Sequence, residues 1–262
     1  LTSDHRLMLE AAAPVISGAL LAARAAGAER VIVAVEDNKP DAVASLRSAA
    51  GDADVEVAAV HTKYPMGGER QLIPAVMGRE IPTGGLPLDV GVVVVNAAIA
   101  RAVLRGGALT HRIVSVTGEG IRKPKNILAP VGASYGDLIE FCGGLTDPKG
   151  RVVAGGPMMG FALSDLSVPI AKGTSGVVAL TSEQVEAAEE TACIRCGRCV
   201  DVCPLHLVPT RIALACRDKD WDAAKRYYLT ACCECGCCAY ICPAKIPLVQ
   251  LMRMGKASMP RD

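Results

Sequence analysis

The same cysteine run occurs twice in this sequence. Cys193, Cys196, Cys199 and Cys203 lead into Pro204, and Cys232, Cys235, Cys238 and Cys242 lead into Pro243. Each copy reads C-x2-C-x2-C-x3-C-P. Steps of two let a chain curl around one face of an iron–sulfur cubane and offer three thiolates, and the fourth thiolate, one short helical turn later, reaches across to a second cluster. The spacing predicts two [4Fe–4S] clusters. One set is Cys193, Cys196, Cys199 and Cys242; the other is Cys232, Cys235, Cys238 and Cys203. Structural zinc wants two spaced pairs rather than four Cys packed together twice. A disulfide framework needs an oxidising compartment, and Cys at such tight gaps bridge poorly.

The rest of the chain narrows the setting. Half of its 262 residues are hydrophobic, enough for a sizeable core. The net charge of +1 and a single Trp, five Tyr and two Phe argue against a nucleic-acid partner, which needs a basic surface and stacking rings. Twelve Cys fit a reducing compartment and metal chemistry. The most apolar run, from Val90 to Leu104, is broken by Asn96 and Arg101, so no membrane span is expected. No signal peptide is visible. A chain that opens on Leu1 rather than Met reads as a piece whose start is missing.

The hydrophobic pattern before the cysteines alternates strand and helix. Ser3 or Asp4 could cap a first helix, interrupted at Pro14 and ended by Gly27. Val31 to Val35 is a continuous apolar strand, Pro40 opens a helix to about Ala50, and Val55 to Val60 is a second strand. Gly67 to Met77 reads as a helix and Val90 to Val95 as a strand. This alternation predicts an α/β layer with parallel strands. Arg112 to Thr117, Asn126 to Val131, a helix from Tyr135 to Phe141, and Arg151 to Ala154 form a small strand–helix–strand module, read as a β-grasp. From Ala171 the chain reads as loop, then as a charged linker helix from Ser182 to Thr191. Between the cysteine runs, Arg211 to Tyr228 reads as helical, with Ile212, Leu214, Ala215, Trp221, Ala224 and Tyr228 inward. The expected division is 1–110, 111–170, a linker over 171–190, and a cluster domain over 191–262.

Other candidates for chemistry are sparser. Lys63, Tyr64, Gly67, Gly68 and Glu69 lie in a loop before a helix, where outward N–H groups can meet a phosphate or a flavin ring; a plain Gly-Gly turn is the alternative. Asn96 ends an apolar segment where ligands of α/β sheets gather, or it caps a helix. Gly155 to Gly160 is glycine-rich but lacks a phosphate-loop pattern and reads as a turn. The four His are scattered, without metal-binding spacing. Cys142, Cys216, Cys233 and Cys237 fall outside the cluster pattern and read as small hydrophobes. Arg195 and Arg198 beside the first run could tune a cluster or dock an acidic donor.

Together, Val35-Glu-Asp-Asn-Lys-Pro40, Thr62-Lys-Tyr-Pro-Met-Gly-Gly-Glu69, Thr117-Gly-Glu119, Gly155-Gly-Pro-Met-Met-Gly-Phe161, Cys193-Ile-Arg-Cys-Gly-Arg-Cys199 and Glu234-Cys-Gly-Cys-Cys-Ala-Tyr240 resemble the C subunit of the Rnf ion-translocating electron transport complex. The first part is also similar to the flavin-bearing, NADH-oxidising subunit of respiratory complex I. The resemblance implies a Rossmann-like flavin and NADH domain, a β-grasp module and an α-helical two-cluster ferredoxin-like domain. It implies FMN in the complete protein, NADH as substrate, and Lys63, Tyr64, Gly67, Gly68, Glu69 and Asn96 near the flavin. It implies partner subunits that hold the protein peripherally at the cytoplasmic face of the bacterial inner membrane, as the electron-entry point between NADH and ferredoxin or flavodoxin. The family's glycine-rich flavin loop and an acidic segment would precede a position such as Leu1, and its short insert after Asn96 is absent. Two alternatives share the cysteine pattern: a flavin and iron–sulfur cobalamin reductase of a metabolic microcompartment, and a flavin-free two-cluster electron wire.

Overall fold

The protein is described from a computed structural model, which covers residues 1–104, 106–185 and 189–259. In chain order its elements are α1 (Ser3–Glu10), α2 (Ala12–Ala26), β1 (Ile32–Glu36), α3 (Pro40–Ala50), β2 (Glu56–Val60), α4 (Glu69–Met77), α5 (Ala97–Leu104), β3 (His111–Thr117), β4 (Lys125–Pro130), α6 (Tyr135–Phe141), β5 (Arg151–Ala154), β6 (Phe161–Ala162), β7 (Gly176–Leu180), α7 (Arg198–Asp201), α8 (Pro209–Arg217), α9 (Trp221–Arg226), α10 (Cys237–Ile241) and α11 (Leu248–Ser258). They form two compact units. One holds 1–63 with 93–185; the other holds 64–92 with 186–262. This differs from the expected division at 110, 170 and 190: the segment from Tyr64 to Val92 belongs with the cysteine runs.

The first unit has two layers of core. β1 and β2 run parallel, with Ile32 opposite Glu56 and Glu36 opposite Val60. Helices α1, α2 and α3 bury Leu7, Val15, Ile16, Val43 and Leu46 against Val35 and Val57 of this sheet. The break between α1 and α2 falls at Ala11 and bends the pair by 98°. Pro14 sits in the first turn of α2, where its missing N–H costs nothing. Gly27, at φ 67°, closes α2 in the left-handed conformation. The strand expected over Val90 to Val95 does not form. Pro87–Val90 is a single 3-10 turn and the valines after it are irregular and partly exposed, Val93 at 55%. A parallel strand needs a neighbour to satisfy its backbone, and the sheet here has two strands only among the described residues.

The second layer of this unit is a five-stranded sheet in the order β4-β3-β7-β5-β6, with α6 packed on it through Tyr135, Leu138 and Ile139. The central strand β7 lies in the segment expected to be loop and linker. Its Gly176-Val-Val-Ala-Leu180 is apolar and buried, running parallel to β3 and antiparallel to β5. Gly118 is required beside it, because a Cβ there would come within 2.1 Å of the Ala179 carbonyl oxygen. The expected linker helix is also corrected: 182–185 form a turn, Glu189 to Thr191 are irregular, and 186–188 lie outside the described residues. Among the described residues no single helix is long and apolar enough to cross a membrane.

In the second unit, the helix expected over Arg211 to Tyr228 is two helices, α8 and α9. The chain turns at Lys219, in the left-handed region at φ 57°, and Asp220 caps α9 by accepting from the Ala223 N–H. Ile212, Ala215 and Ala224 point inward as expected, but Tyr228 is 59% exposed because it occupies the left-handed turn after α9.

Candidate functional site

The two cysteine runs fold as a backbone repeat. In each, the residue before the second Cys is left-handed, Arg195 at φ 57° and Glu234 at φ 57°, and so is the Gly after it, Gly197 at φ 78° and Gly236 at φ 88°. Those paired reversals curl the chain at equivalent positions in the two runs. Each Gly then starts a short helix, α7 or α10. Each run ends in a Cys-Pro turn closed three residues on, where the N–H of His206 donates to the Cys203 carbonyl at 3.1 Å and that of Lys245 to Cys242 at 3.2 Å. A longer helix follows, α8 or α11, and the two pack together in one core with Ile212, Leu248 and Met252.

The eight thiols sort into two cavities. Cys193, Cys196, Cys199 and Cys242 line the first, of about 250 Å³, with Thr210 and Arg211 of α8. Cys203, Cys232, Cys235 and Cys238 line the second, which is tighter, at about 20 Å³. The last Cys of each run has crossed to the other run's cavity. No three His, Cys, Asp or Glu side chains among the described residues close on one point as a single metal ion needs. Four Cys on one cavity lining, three from one run and the last from the other, is the donor set that a cubane would take. Backbone N–H groups already point at sulfur: Leu207 N–H to Cys203 Sγ and Glu234 N–H to Cys232 Sγ, both 3.4 Å. Such bonds are what sets a cluster's potential.

The second ring is braced by charge. The Glu234 carboxylate accepts from Arg253 Nε at 2.9 Å and Lys256 Nζ at 2.8 Å, and Lys256 also donates to the Cys232 carbonyl at 2.6 Å. Burial works against that carboxylate, but the Lys256 and Arg253 partners outweigh it and hold the group below the usual range. Cys233 and Cys237 stand beside this ring on the cavity lining. Cys142 and Cys216 are fully buried in the two cores, where burial pushes their thiols up; they serve as small apolar residues.

The loop before α4 lies in the same unit as the cysteine runs. Tyr64 Oη donates to the Cys235 carbonyl at 2.6 Å, and partial burial, with nearby Cys thiols, pushes its hydroxyl up to about 12. Gly68 is the N-cap of α4 and supplies no side chain to its first-turn N–H groups. A Cβ on Gly68 would meet Gln71 Oε1 at 2.6 Å. The Gln71 amide is buried with neither Nε2 nor Oε1 paired. A polar ligand would satisfy it. Arg70 reaches the carbonyls of Ile81, Pro82 and Gly85 and pins the following loop.

Lys63 and Asn96 belong to the other unit, and Lys63 is exposed. Asn96 caps α5, its Oδ1 accepting from the Ala98 N–H at 2.9 Å while Nδ2 donates to Asp4. The glycine-rich turn after β5 is structural: a Cβ on Gly160 would strike the carbonyls of Ala154 and Gly156. His5 and His61 pair with Asp41 and Asp37.

Three family models match in the same order as these elements: an FMN-binding domain of the Nuo51 type over residues 1–105, an SLBB domain over 113–162 and a 4Fe-4S binding domain over 189–206. The chain is 45% identical to the C subunit of the proton-translocating ferredoxin:NAD+ oxidoreductase complex of Clostridium ljungdahlii, covering 98% of this chain and 57% of that protein. It is 45% identical to the Na+-translocating counterpart of Acetobacterium woodii, covering 98% and 59%. It is 42% identical to the C subunit of the ion-translocating oxidoreductase complex of Rhodobacter capsulatus, covering 99% and 51%. The chain thus spans little more than half the length of these relatives. In fold it is similar to a chain of an NAD+-reducing [NiFe]-hydrogenase, at 17% identity and a TM-score of 0.60 over 100% of this chain and 55% of that one.

Proposed function

We propose that the chain, 45% identical along 98% of its length to the C subunits of two ion-translocating ferredoxin:NAD+ oxidoreductase complexes, is the electron-entry subunit of such a complex. In this reading its substrate is NADH, its cofactors are FMN and two [4Fe–4S] clusters, and its partners are the other subunits of a membrane complex that it joins peripherally at the cytoplasmic face. The observation that carries the reading is that the last Cys of each run lines the cavity of the other run's first three, Cys242 with Cys193, Cys196 and Cys199, and Cys203 with Cys232, Cys235 and Cys238.

When bound, the flavin supplies the exchange between a two-electron hydride donor and one-electron clusters. The residues divide the remaining work. Cys193, Cys196, Cys199 and Cys242 hold one cluster; Cys203, Cys232, Cys235 and Cys238 hold the other. Tyr64, Gly67, Gly68 and Glu69 form the flavin-side loop, with the orphaned Gln71 amide as a further hydrogen-bonding group; Lys63 and Asn96 are assigned to the same ligand by resemblance. Glu234, Arg253 and Lys256 hold the second cysteine loop in its curled form. No acid–base residue is needed for one-electron transfer. The domain reading that goes with this is a Rossmann-like flavin layer, a β-grasp sheet and a ferredoxin-like cluster unit.

The test is the full-length protein purified without oxygen. Two clusters' worth of iron and acid-labile sulfide, a reduced-state EPR spectrum and FMN fluorescence on denaturation are expected. Clusters without any released flavin would leave only a two-cluster wire. Zinc in place of iron would sink the cluster assignment itself.

A further inference from the structure

We propose that Thr210 is a positioning residue of the first cluster: acting through the Cys199 sulfur, its hydroxyl holds that cluster's midpoint potential up, and the second cavity has no such group at the matching place. The inference rests on the two-cluster reading above. The cysteine repeat extends past its ligands. Thr210 stands seven residues after Cys203 and Val249 seven after Cys242, each the second residue of the helix that follows its run. Thr210 lines the first cavity and Val249 the second. The two side chains have the same shape. They differ only in that one branch is a hydroxyl in the first cavity and a methyl in the second.

Cys199 Sγ lies 4.0 Å from the Thr210 hydroxyl oxygen. Thr210 makes no other side-chain hydrogen bond among the described residues. Nor does it cap α8: the N-cap there is Val208, and no side chain bonds the first-turn N–H groups. A hydroxyl in a helix commonly bonds nearby backbone; this one faces a thiol. A thiol donates across the gap, but a ligated Cys is a thiolate and only accepts, so the Thr210 hydroxyl becomes the donor. A donor on a cluster sulfur favours the reduced state, in which the sulfurs carry more negative charge and the bond is stronger. The other sulfur bonds of this unit come from the backbone. The Leu207 and Glu234 N–H groups reach Cys203 and Cys232, both on the lining of the second cavity. Those donors survive side-chain replacement, whereas the donor at Cys199 is removed by changing one branch of one residue.

The experiment is a redox titration, followed by EPR, of the full-length protein purified without oxygen; the signal that Cys196→Ser alters is that of the first cluster. Thr210→Val keeps the shape and removes the donor. At a fixed potential the ratio of reduced to oxidised first cluster falls about threefold to tenfold, a midpoint lower by up to about 59 mV for one electron. The second cluster's midpoint stays where it is. Thr210→Ser keeps the hydroxyl and holds the wild-type midpoint, at the same iron content. If Thr210→Val loads less iron, Thr210→Ala carries the test, with a shift in the same direction. An unchanged first midpoint in the apolar variants, an equal shift in both clusters, or a shift in Thr210→Ser as large as in Thr210→Val overturns the role of the hydroxyl. A wild type that shows one reduced-cluster signal or none overturns the two-cluster reading, and the role with it.

Discussion

The hydroxyl of Tyr64 donates to the backbone carbonyl of Cys235 at 2.6 Å, across 171 residues of sequence. Cys235 lines the second cysteine cavity, so in the proposed reading this bond joins the flavin-side loop to the peptide that follows a cluster thiolate. A donor on the Cys235 carbonyl polarises the peptide and makes the Gly236 N–H more positive. A more positive environment favours the reduced cluster. Tyr64→Phe keeps the ring and removes the donor, so the midpoint potential of the second cluster falls while that of the first stays put. The size is on the order of tens of millivolts, because a hydrogen bond worth about 1 kcal/mol is felt only in part and 59 mV corresponds to 1.4 kcal/mol for one electron. Redox titration followed by EPR checks it; equal shifts in both clusters would contradict it.

The crossed rings make a prediction that sequence order alone would reverse. Cys242 closes the second run but lines the first cavity, and Cys203 closes the first run but lines the second. Cys242→Ser therefore gives the same altered EPR signal as Cys196→Ser, and Cys203→Ser the same as Cys235→Ser. If Cys242→Ser matched Cys235→Ser instead, each run would hold its own cluster.

The cysteine runs stand out in the sequence because a cluster would fix both residue type and spacing. The helices with clear ends were legible too: α3 begins at Pro40 and α2 ends at Gly27, since Pro and Gly act through the backbone and need no tertiary partner. What depends on partners was not. β7 is a central strand only because β3 and β5 lie on either side of it, whereas the equally apolar Val93 to Val95 find no strand to pair with. Tyr64 shows the same limit in the site: its loop marks it as a candidate, but no local pattern announces its bond to the Cys235 carbonyl.

Asp147 gives a pH-dependent tie within the sheet of the first unit. Its carboxylate accepts from the Ser182 N–H at 2.7 Å and the Ser182 hydroxyl at 2.6 Å, joining the turn before β5 to the residue just past β7. The Ser182 side chain and backbone bonds lower its pKa. A depressed carboxylate stabilises the fold above its unfolded pKa, near 3.9, and loses that contribution as pH falls through the folded value. Asp147→Asn therefore melts below the wild type at neutral pH, and the gap between the two closes as pH drops beneath about 4. Paired melting curves across that range check this, because acid loss of clusters affects both proteins alike. A gap that widened on acidification would contradict it.

Gly255 of α11 faces Cys216 of α8 at the seam of the cluster unit. A Cβ built on Gly255 would lie 2.3 Å from Cys216 Sγ and 2.9 Å from Cys216 Cβ. Two effects compete when Gly255→Ala is made. Ala is the better helix former by roughly 0.5–1 kcal/mol. Overpacking a tight core costs about 1–3 kcal/mol, and here the obstacle is a fully buried side chain on a neighbouring helix with little room to yield. The second effect is larger, so the variant is destabilised where the same change on an exposed helix would stabilise. Cys216→Ala removes the nearer obstacle but leaves the Cβ at 2.9 Å. The double variant is thus less destabilised than the sum of the two single changes, with a coupling on the order of 1 kcal/mol, yet it remains below the wild type. Denaturant unfolding of the four proteins at equal iron content measures the cycle, and simple additivity would show that α8 and α11 are free to move apart.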